Sequence, residues 1–257
     1  MKKILKTICI FVACITVFSL VVFCFNSKDS SFTISSSPNK EETVDFSSLT
    51  MVAIGDSLLS GAGIDNPCTV KLKEILNLKQ CLNYGIPGSS LSDVDGCNPY
   101  IYRYDKMLSS ADIVLVQCSG NDIGKNEVGN LEDFIPTTFC GGINILAKGL
   151  KEKYPNAYIF FQPGFMRAET YVELATPYMS VMKELCKRHG FDYFDTFVES
   201  FPYDYKTDTV DWVHLNQDYT DTVWAPALAE FIRANYKQKK ITALLDGYEK
   251  RTTNVVS

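Results

Sequence analysis

The chain has 257 residues and a formal net charge of −5, with 46% hydrophobic and 21% charged residues. This composition is typical of a globular protein, and the length suits one well-buried domain with extensions. After the first 26 residues, 22 basic and 30 acidic residues remain, a net charge of −8, which disfavours nucleic acid as a partner. Two histidines and no Cys-x-x-Cys spacing disfavour zinc, and no cofactor is expected.

The N-terminal segment is predicted to lie in a membrane. Three lysines precede Thr7–Phe25, an uncharged and mostly apolar stretch long enough to cross a bilayer. The residues around Cys24 lack the small side chains that a signal peptidase needs. We therefore expect residues 1–26 to be a membrane anchor or uncleaved signal sequence, with the rest outside the cytoplasm; cleavage would make the protein secreted. A lipoprotein linked through Cys24 is a weaker alternative, because Phe23 stands where such sites carry a small residue.

The next segment, residues 27–48, is predicted to be a flexible tether. It is rich in Ser, Lys, Glu and Asp and has no hydrophobic periodicity. One folded domain is therefore expected over residues 49–257.

Within this domain, short apolar runs alternate with longer stretches of helical period. The strand candidates are Met51–Ile54, Cys81–Tyr84, Ile113–Gln117, Tyr158–Phe161 and Phe191–Phe194. The helix candidates are Thr69–Leu78, Ser90–Ser109, Leu131–Lys153, Glu169–His189 and about Asp218–Lys237. This alternation predicts an α/β fold, a three-layer α/β/α sandwich with a five-stranded parallel sheet.

Six cysteines lie beyond the N-terminal segment, an even number that permits up to three disulfides. One or two bridges at most are expected, and no pairing can be assigned. Cys118 ends an apolar strand and Cys186 lies on the apolar face of a helix, where a buried free thiol is the ordinary state.

Polar residues follow several of the predicted strands. Ser57 follows the first strand, Asn121 the third, and His214 the loop after the fifth. Because reactive groups gather at the carboxyl ends of parallel strands, we expect these side chains on one edge of the sheet. A serine hydroxyl becomes nucleophilic when a neutral imidazole takes its proton and a carboxylate fixes the imidazole tautomer. Asp211, three residues before His214, supplies that carboxylate.

Two neighbouring residues are predicted to have structural roles. Asp56 is expected to bond the backbone of the tight turn, and Asn216 to cap the helix that follows. The structural alternatives for the reactive residues are ordinary ones: Ser57 as a helix N-cap, His214 as a surface residue and Asn121 as a turn former.

Four motifs occur in a fixed order, each near a strand end: Gly55-Asp56-Ser57-Leu58, Asn83-x-Gly85-x-x-Gly88, Gly120-Asn121-Asp122 and Asp211-x-x-His214. In this combination the chain resembles the SGNH (GDSL) hydrolase family, a group of serine esterases and lipases with a flavodoxin-like fold. The resemblance covers about residues 51–236.

The resemblance implies a role for five residues. Ser57 would be the nucleophile, His214 the general base and Asp211 its orienting acid. The oxyanion hole would consist of the backbone N–H groups of Ser57 and Gly88 and the side-chain amide of Asn121. The α/β-hydrolases, which share the chain order of such a triad, are a poorer match because they carry a second glycine where this chain has a leucine.

The expected activity is ester hydrolysis through an acyl-enzyme, on an acylated small molecule or glycan. Carbohydrate O-deacetylation is favoured, because the domain is expected outside the cytoplasm and small members of the family often act on acyl sugars. A lipase, lysophospholipase or thioesterase is the alternative. A flavodoxin-like electron carrier and a non-catalytic glycan-binding protein are weaker alternatives. Aromatic residues are expected either to border the site and stack on sugars or to anchor loops: Tyr100, Tyr102, Tyr104, Phe201, Tyr203 and Tyr205.

Overall fold

A computed structural model describes residues 44–118 and 120–238. The predicted membrane segment and most of the predicted tether lie outside these residues. Within the described ranges, no helix is both apolar enough and long enough to traverse a bilayer.

Five parallel strands form one sheet in the order β2-β1-β3-β4-β5, which confirms the predicted fold. The strands are β1 (Thr50–Gly55), β2 (Gln80–Gly85), β3 (Ile113–Gln117), β4 (Tyr158–Gln162) and β5 (Asp192–Tyr193). β1, β3 and β4 are almost completely buried, as expected for parallel strands covered on both faces. Gly55 pairs with Gly85, so β1 and β2 end at the same level.

The helices are α1 (Ser57–Ser60), α2 (Cys68–Leu76), α3 (Phe139–Lys153), α4 (Glu169–His189) and α5 (Gln217–Tyr219). A π-helical turn, Thr220–Trp224, continues α5 into helical residues 225–238. Asn216 accepts a hydrogen bond from the backbone N–H of Tyr219, so the predicted cap is confirmed.

Two hydrophobic clusters fill the space on either face of the sheet. Val52 and Ile54 of β1 belong to the cluster that contains α3 and α4. Met51 and Ala53 belong to the cluster that contains α2 and the helical residues 225–236. Successive strand residues point to opposite faces, so the chain forms the predicted three layers.

The predicted helix over residues 90–109 is wrong. The segment is a loop with two short 3₁₀ turns, Tyr100–Tyr102 and Tyr104–Lys106. The buried carboxylate of Asp122 accepts hydrogen bonds from the backbone N–H groups of Leu91 and Ser92, each at 2.8 Å, and so holds the chain out of a helix.

The third helix also begins later than predicted, at Phe139 rather than Leu131. Pro136 disfavours helical backbone at the residue before it, and Thr138 caps the helix by accepting a hydrogen bond from Gly141 N–H at 3.1 Å. The helix Glu169–His189 is confirmed at both ends.

Phe46 lies inside the predicted tether but is only 7% exposed, with its ring 5.5 Å from that of Tyr236. Packing onto the domain therefore includes residues before Leu49. The cysteines of the described residues are all free thiols, so the expected disulfides are not found there. Cys118 and Cys186 are buried, as predicted.

Candidate active site

Ser57 begins the short helix that follows β1. The preceding residue, Asp56, is the N-cap and accepts a hydrogen bond from Leu58 N–H at 2.9 Å. The predicted role of Asp56 in the turn is therefore confirmed, and the alternative role of Ser57 as the cap is not observed. A Cβ on Gly55 would lie 2.6 Å from that of Leu59, so glycine is needed for the sharp change from strand to helix.

The hydroxyl of Ser57 contacts the imidazole of His214, although 157 positions separate them. Oγ of Ser57 lies 2.9 Å from Nε2 of His214. The other ring nitrogen, Nδ1, lies 2.7 Å from Oδ2 of Asp211. The structure thus brings together the three residues that the sequence analysis selected for nucleophile, base and orienting acid.

The turn that carries Asp211 and His214 is closed by local hydrogen bonds. Oδ1 of Asp211 accepts from the backbone N–H groups of Val213 at 3.1 Å and His214 at 2.7 Å. The N–H of Val210 donates to the carbonyl of His214 at 2.8 Å. One carboxylate therefore holds both the backbone of the turn and the imidazole ring.

These bonds also determine the charge of Asp211. Its slight burial raises the pKa of the carboxyl. The hydrogen bonds from the backbone and ring of His214 and from the backbone of Val213 lower the pKa by more than burial raises it. The pKa of Asp211 therefore lies below its usual value. Asp211 therefore stays ionised as the acceptor of the imidazole N–H at neutral pH.

The loop after β2 forms a turn that requires glycine at position 88. Ser89 N–H donates to the carbonyl of Ile86 at 3.1 Å, with Pro87 and Gly88 between them. Gly88 has φ = 76°, which is the backbone of a type II turn with proline at its second position and glycine at its third. A Cβ at Gly88 would meet no protein atom within 4 Å, so the left-handed φ, rather than crowding by the protein, requires glycine.

Asn121 lies beside this turn. Its side-chain nitrogen donates to the carbonyl of Ser89 at 2.9 Å and lies 3.5 Å from Oδ2 of Asp56. Gly120, directly before it, leaves room for the hydroxyl of Tyr171, which would lie 3.0 Å from a Cβ at that position. The amide of Asn121 thus lies between the residue before Ser57 and the residue after Gly88.

A buried arginine that the sequence analysis missed supports both sides of the site. Nη2 of Arg103 donates to the carbonyl of Gly55 at 2.7 Å and to Oγ of Ser89 at 2.9 Å. Its guanidinium lies over the ring of Tyr100, 4.8 Å from the centroid. Because Arg103 falls within the wrongly predicted helix, no sequence signal pointed to this contact.

Trp212, between Asp211 and His214, has a backbone conformation unusual for its type. Its φ is 67°, a left-handed value that costs an L-residue about 1–2 kcal/mol. The other non-glycine residue with positive φ in the described part of the chain is Asn77, at a helix C-terminus where asparagine is common. Nothing in the amino-acid sequence indicates this strain.

A cleft of about 290 Å³ is lined in part by Met166, Arg167 and Thr196. Nη2 of Arg167 in its wall would lie 3.7 Å from a Cβ at Gly120. The cleft is also lined by Glu199, Phe201, Tyr203, Asp204 and Tyr205. The rings of Phe201 and Tyr203 pack on Phe165 at 5.9 and 5.0 Å, so these two aromatics anchor the loop as well as bordering the cleft.

No family model matches the chain, and no curated protein matches its sequence. Solved structures do match it. One is a Lactobacillus plantarum protein with 20% identity and a TM-score of 0.66, over 73% of this chain and 98% of that one. Another, from Bacteroides uniformis and named as a GDSL-like lipase, has 15% identity and a TM-score of 0.56, over 72% and 95%. The chain has the SGNH (GDSL) hydrolase fold.

A third solved structure that matches the chain is a family two carbohydrate esterase from Clostridium thermocellum, in complex with cellohexaose. It shares 19% identity and a TM-score of 0.54 over 73% of this chain and 65% of that one. Within the SGNH fold of the present chain, the four motif segments lie together, because β1, β2 and β3 are neighbours in the sheet and the Asp211 turn meets the end of β1.

Proposed function

We propose that the protein is a serine ester hydrolase that acts through an acyl-enzyme. The observation that carries this proposal is the line of contacts from Ser57 Oγ to His214 Nε2 at 2.9 Å and from His214 Nδ1 to Asp211 Oδ2 at 2.7 Å. This geometry suits proton transfer from the hydroxyl to the ring, with the carboxylate holding the tautomer that can accept it. A phosphate-binding role for Ser57, as in a flavodoxin, would leave its contact with His214 unexplained.

In the first half of the reaction, Ser57 Oγ attacks the ester carbonyl carbon while Nε2 of His214 takes the hydroxyl proton. The tetrahedral intermediate then collapses, the bond to the alcohol oxygen breaks, and His214 returns the proton to the leaving alcohol. In the second half, water loses a proton to His214 and attacks the acyl-enzyme. The carboxylic acid leaves, and Oγ of Ser57 recovers its proton.

The negative charge of the intermediate requires hydrogen-bond donors. We assign this role to the backbone N–H groups of Ser57 and Gly88 and to the side-chain amide of Asn121. Replacing Asn121 with alanine is expected to lower kcat by about 10²–10³, with a much smaller effect on KM, because the donor acts on charge that develops in the transition state. Steady-state kinetics on p-nitrophenyl acetate measure this. An unchanged kcat together with a raised KM would contradict the assignment.

For the substrate, we propose O-acetylated carbohydrate. One support is the fold shared with a carbohydrate esterase. The other is the cleft that contains Arg167, whose guanidinium approaches Gly120. This cleft combines tyrosines, which suit sugar rings, with charged side chains, which suit sugar hydroxyls. The predicted N-terminal anchor supports a location on the outer face of a cell membrane, where such glycans are found.

One observation favours a longer acyl chain instead. A second cleft, of about 570 Å³, shares Met166, Val198 and Glu199 with the first. Its lining adds the apolar side chains of Val172, Met179 and Phe197, together with polar ones that include Lys183 and Asp195. A lipase, lysophospholipase or thioesterase could place an acyl chain there.

A series of p-nitrophenyl esters from acetate to palmitate separates the two substrates. The deacetylase proposal predicts that kcat/KM is highest for acetate and falls steadily as the chain lengthens. A kcat/KM that rises beyond eight carbons, about the length at which the chain would need an apolar channel, would contradict deacetylation and support the lipase alternative.

A further inference from the structure

Trp212 is an exposed indole directly beside the proposed catalytic residues. It follows Asp211 and precedes His214 by two positions, and it is 70% exposed to solvent. A large aromatic side chain gains more from burial than most others. An indole left in water at the edge of a reaction site is therefore suited to contact a ligand.

The turn itself does not need the indole. The backbone N–H of Trp212 donates to Oγ1 of Thr209 at 2.8 Å, and the carboxylate of Asp211 holds the next two N–H groups. Glycine would adopt the φ of 67° without steric cost, whereas a bulky side chain in this region is an outlier. Backbone strain of this kind clusters at functional sites, and Trp212 carries it between the proposed acid Asp211 and the proposed base His214.

We propose that Trp212 is a specificity-determining residue that stacks on a pyranose ring of the substrate next to Ser57. This inference rests on the proposed function, which it deepens by assigning the residue that selects a sugar ester over a simple ester. The faces of sugar rings carry C–H groups that pack well on an aromatic surface.

The surroundings of Trp212 favour a sugar over a lipid surface. The neighbouring carboxylate of Asp211 is 50% exposed, and Asp204 in the same loop is exposed as well. A bilayer that covered the indole would also remove these carboxylates from water, which is costly. Sugar hydroxyls would instead donate hydrogen bonds to such carboxylates.

The kinetic test uses the purified full-length protein with acetylated xylo-oligosaccharides and with p-nitrophenyl acetate. Trp212→Ala is expected to lower the ratio of kcat/KM for the oligosaccharide to kcat/KM for the simple ester by roughly tenfold, mainly through KM, since truncation of an aromatic contact residue has an effect of this order. Trp212→Phe, which keeps a ring, should recover most of the ratio. Phe134→Ala is the matched control, because Phe134 is also an exposed aromatic, at 57%, and should leave the ratio unchanged.

Fluorescence provides a readout that does not depend on turnover. The chain has two tryptophans, and Trp224 is buried at 1% exposure, so solvent quenchers report mainly on Trp212. Adding xylohexaose or a chito-oligosaccharide should shift the emission to shorter wavelength and reduce quenching by acrylamide. The same additions to Trp212→Phe should produce no shift.

The backbone strain gives a separate check. Trp212→Gly should unfold at a temperature roughly 2–4 °C above that of Trp212→Ala, because only glycine relieves the left-handed φ. Equal melting temperatures of the two variants would show that the backbone at position 212 is not strained.

Three results would overturn the proposal. One is an equal loss on both substrates in Trp212→Ala, which would mean that the indole only supports the His214 turn. Another is an unchanged Trp212 emission with each of these oligosaccharides. The third is an emission shift with phosphatidylcholine vesicles alone, which would place the indole on a lipid surface. Absence of esterase activity in the wild-type protein would instead contradict the proposed function, and the fluorescence test would still decide the role of Trp212.

Discussion

Replacing Ser57 with alanine should lower kcat on p-nitrophenyl acetate by about 10⁶, the order seen when the nucleophile of a serine hydrolase is removed. The reason is that no other hydroxyl is placed at 2.9 Å from Nε2 of His214 in the described residues. The variant should fold normally, since Asp56 rather than Ser57 caps the short helix. Hydrolysis of p-nitrophenyl acetate measures the loss of kcat, and thermal unfolding of the same preparation measures folding.

Ser60→Ala is the matched control for this variant. Ser60 lies in the same short helix, and its hydroxyl donates to the carbonyl of Ser57 at 3.0 Å. Its loss should change kcat by less than about threefold, because this bond is neutral and partly buried and does not touch the reacting atoms. Such a bond contributes only about 0.5–1.5 kcal/mol to stability. If both variants lost activity equally, the helix rather than the Ser57 hydroxyl would be responsible.

Replacing Asp211 with asparagine should lower kcat by about 10⁴. The remaining oxygen of the amide can still accept the N–H groups of Val213 and His214, so the turn should survive. The amide nitrogen would then face Nδ1 of His214, which favours the tautomer with the proton on Nε2. That tautomer cannot take the proton from Ser57.

The control for Asp211→Asn is Asp208→Asn, in the same loop. Asp208 accepts a hydrogen bond from the backbone N–H of Asp204 at 2.7 Å, a bond that an amide oxygen can also accept. We expect nearly full activity from this control. A comparable loss in the two variants would indicate that the loop responds to charge in general and would argue against a specific tautomer role for Asp211.

The parts of the fold that the sequence predicted well are those with an unambiguous period. Met51–Ile54 is uniformly apolar and short, and Glu169–His189 has a helical period with basic residues at its end and a glycine after it. The contact between Ser57, His214 and Asp211 was also predictable, because the resemblance to the SGNH family selected these residues and the carboxyl ends of parallel strands share one edge of the sheet.

The loop over residues 90–109 was not predictable, because its conformation depends on a contact from a distant part of the chain. The carboxylate of Asp122 binds the N–H groups of Leu91 and Ser92. Burial raises the pKa of this carboxyl, and the hydrogen bonds from Ser92 and Leu91 oppose that rise. Tertiary contacts of this kind override local periodicity. The role of Arg103 was hidden for the same reason.

The strain at Trp212 was equally inaccessible from the sequence. Tryptophan has no preference for left-handed backbone, so the motif Asp211-x-x-His214 gave no indication that its second residue would adopt φ = 67°. Only the hydrogen bonds of the folded turn reveal it.

The central claim, that Ser57 is an activated nucleophile, is tested most directly by labelling with a serine-directed fluorophosphonate. We expect one equivalent of label per chain, located by peptide mass spectrometry on Ser57, and a rate of labelling that falls sharply in His214→Ala. Labelling of another residue, or labelling of Ser57 at the same rate without the imidazole, would contradict it.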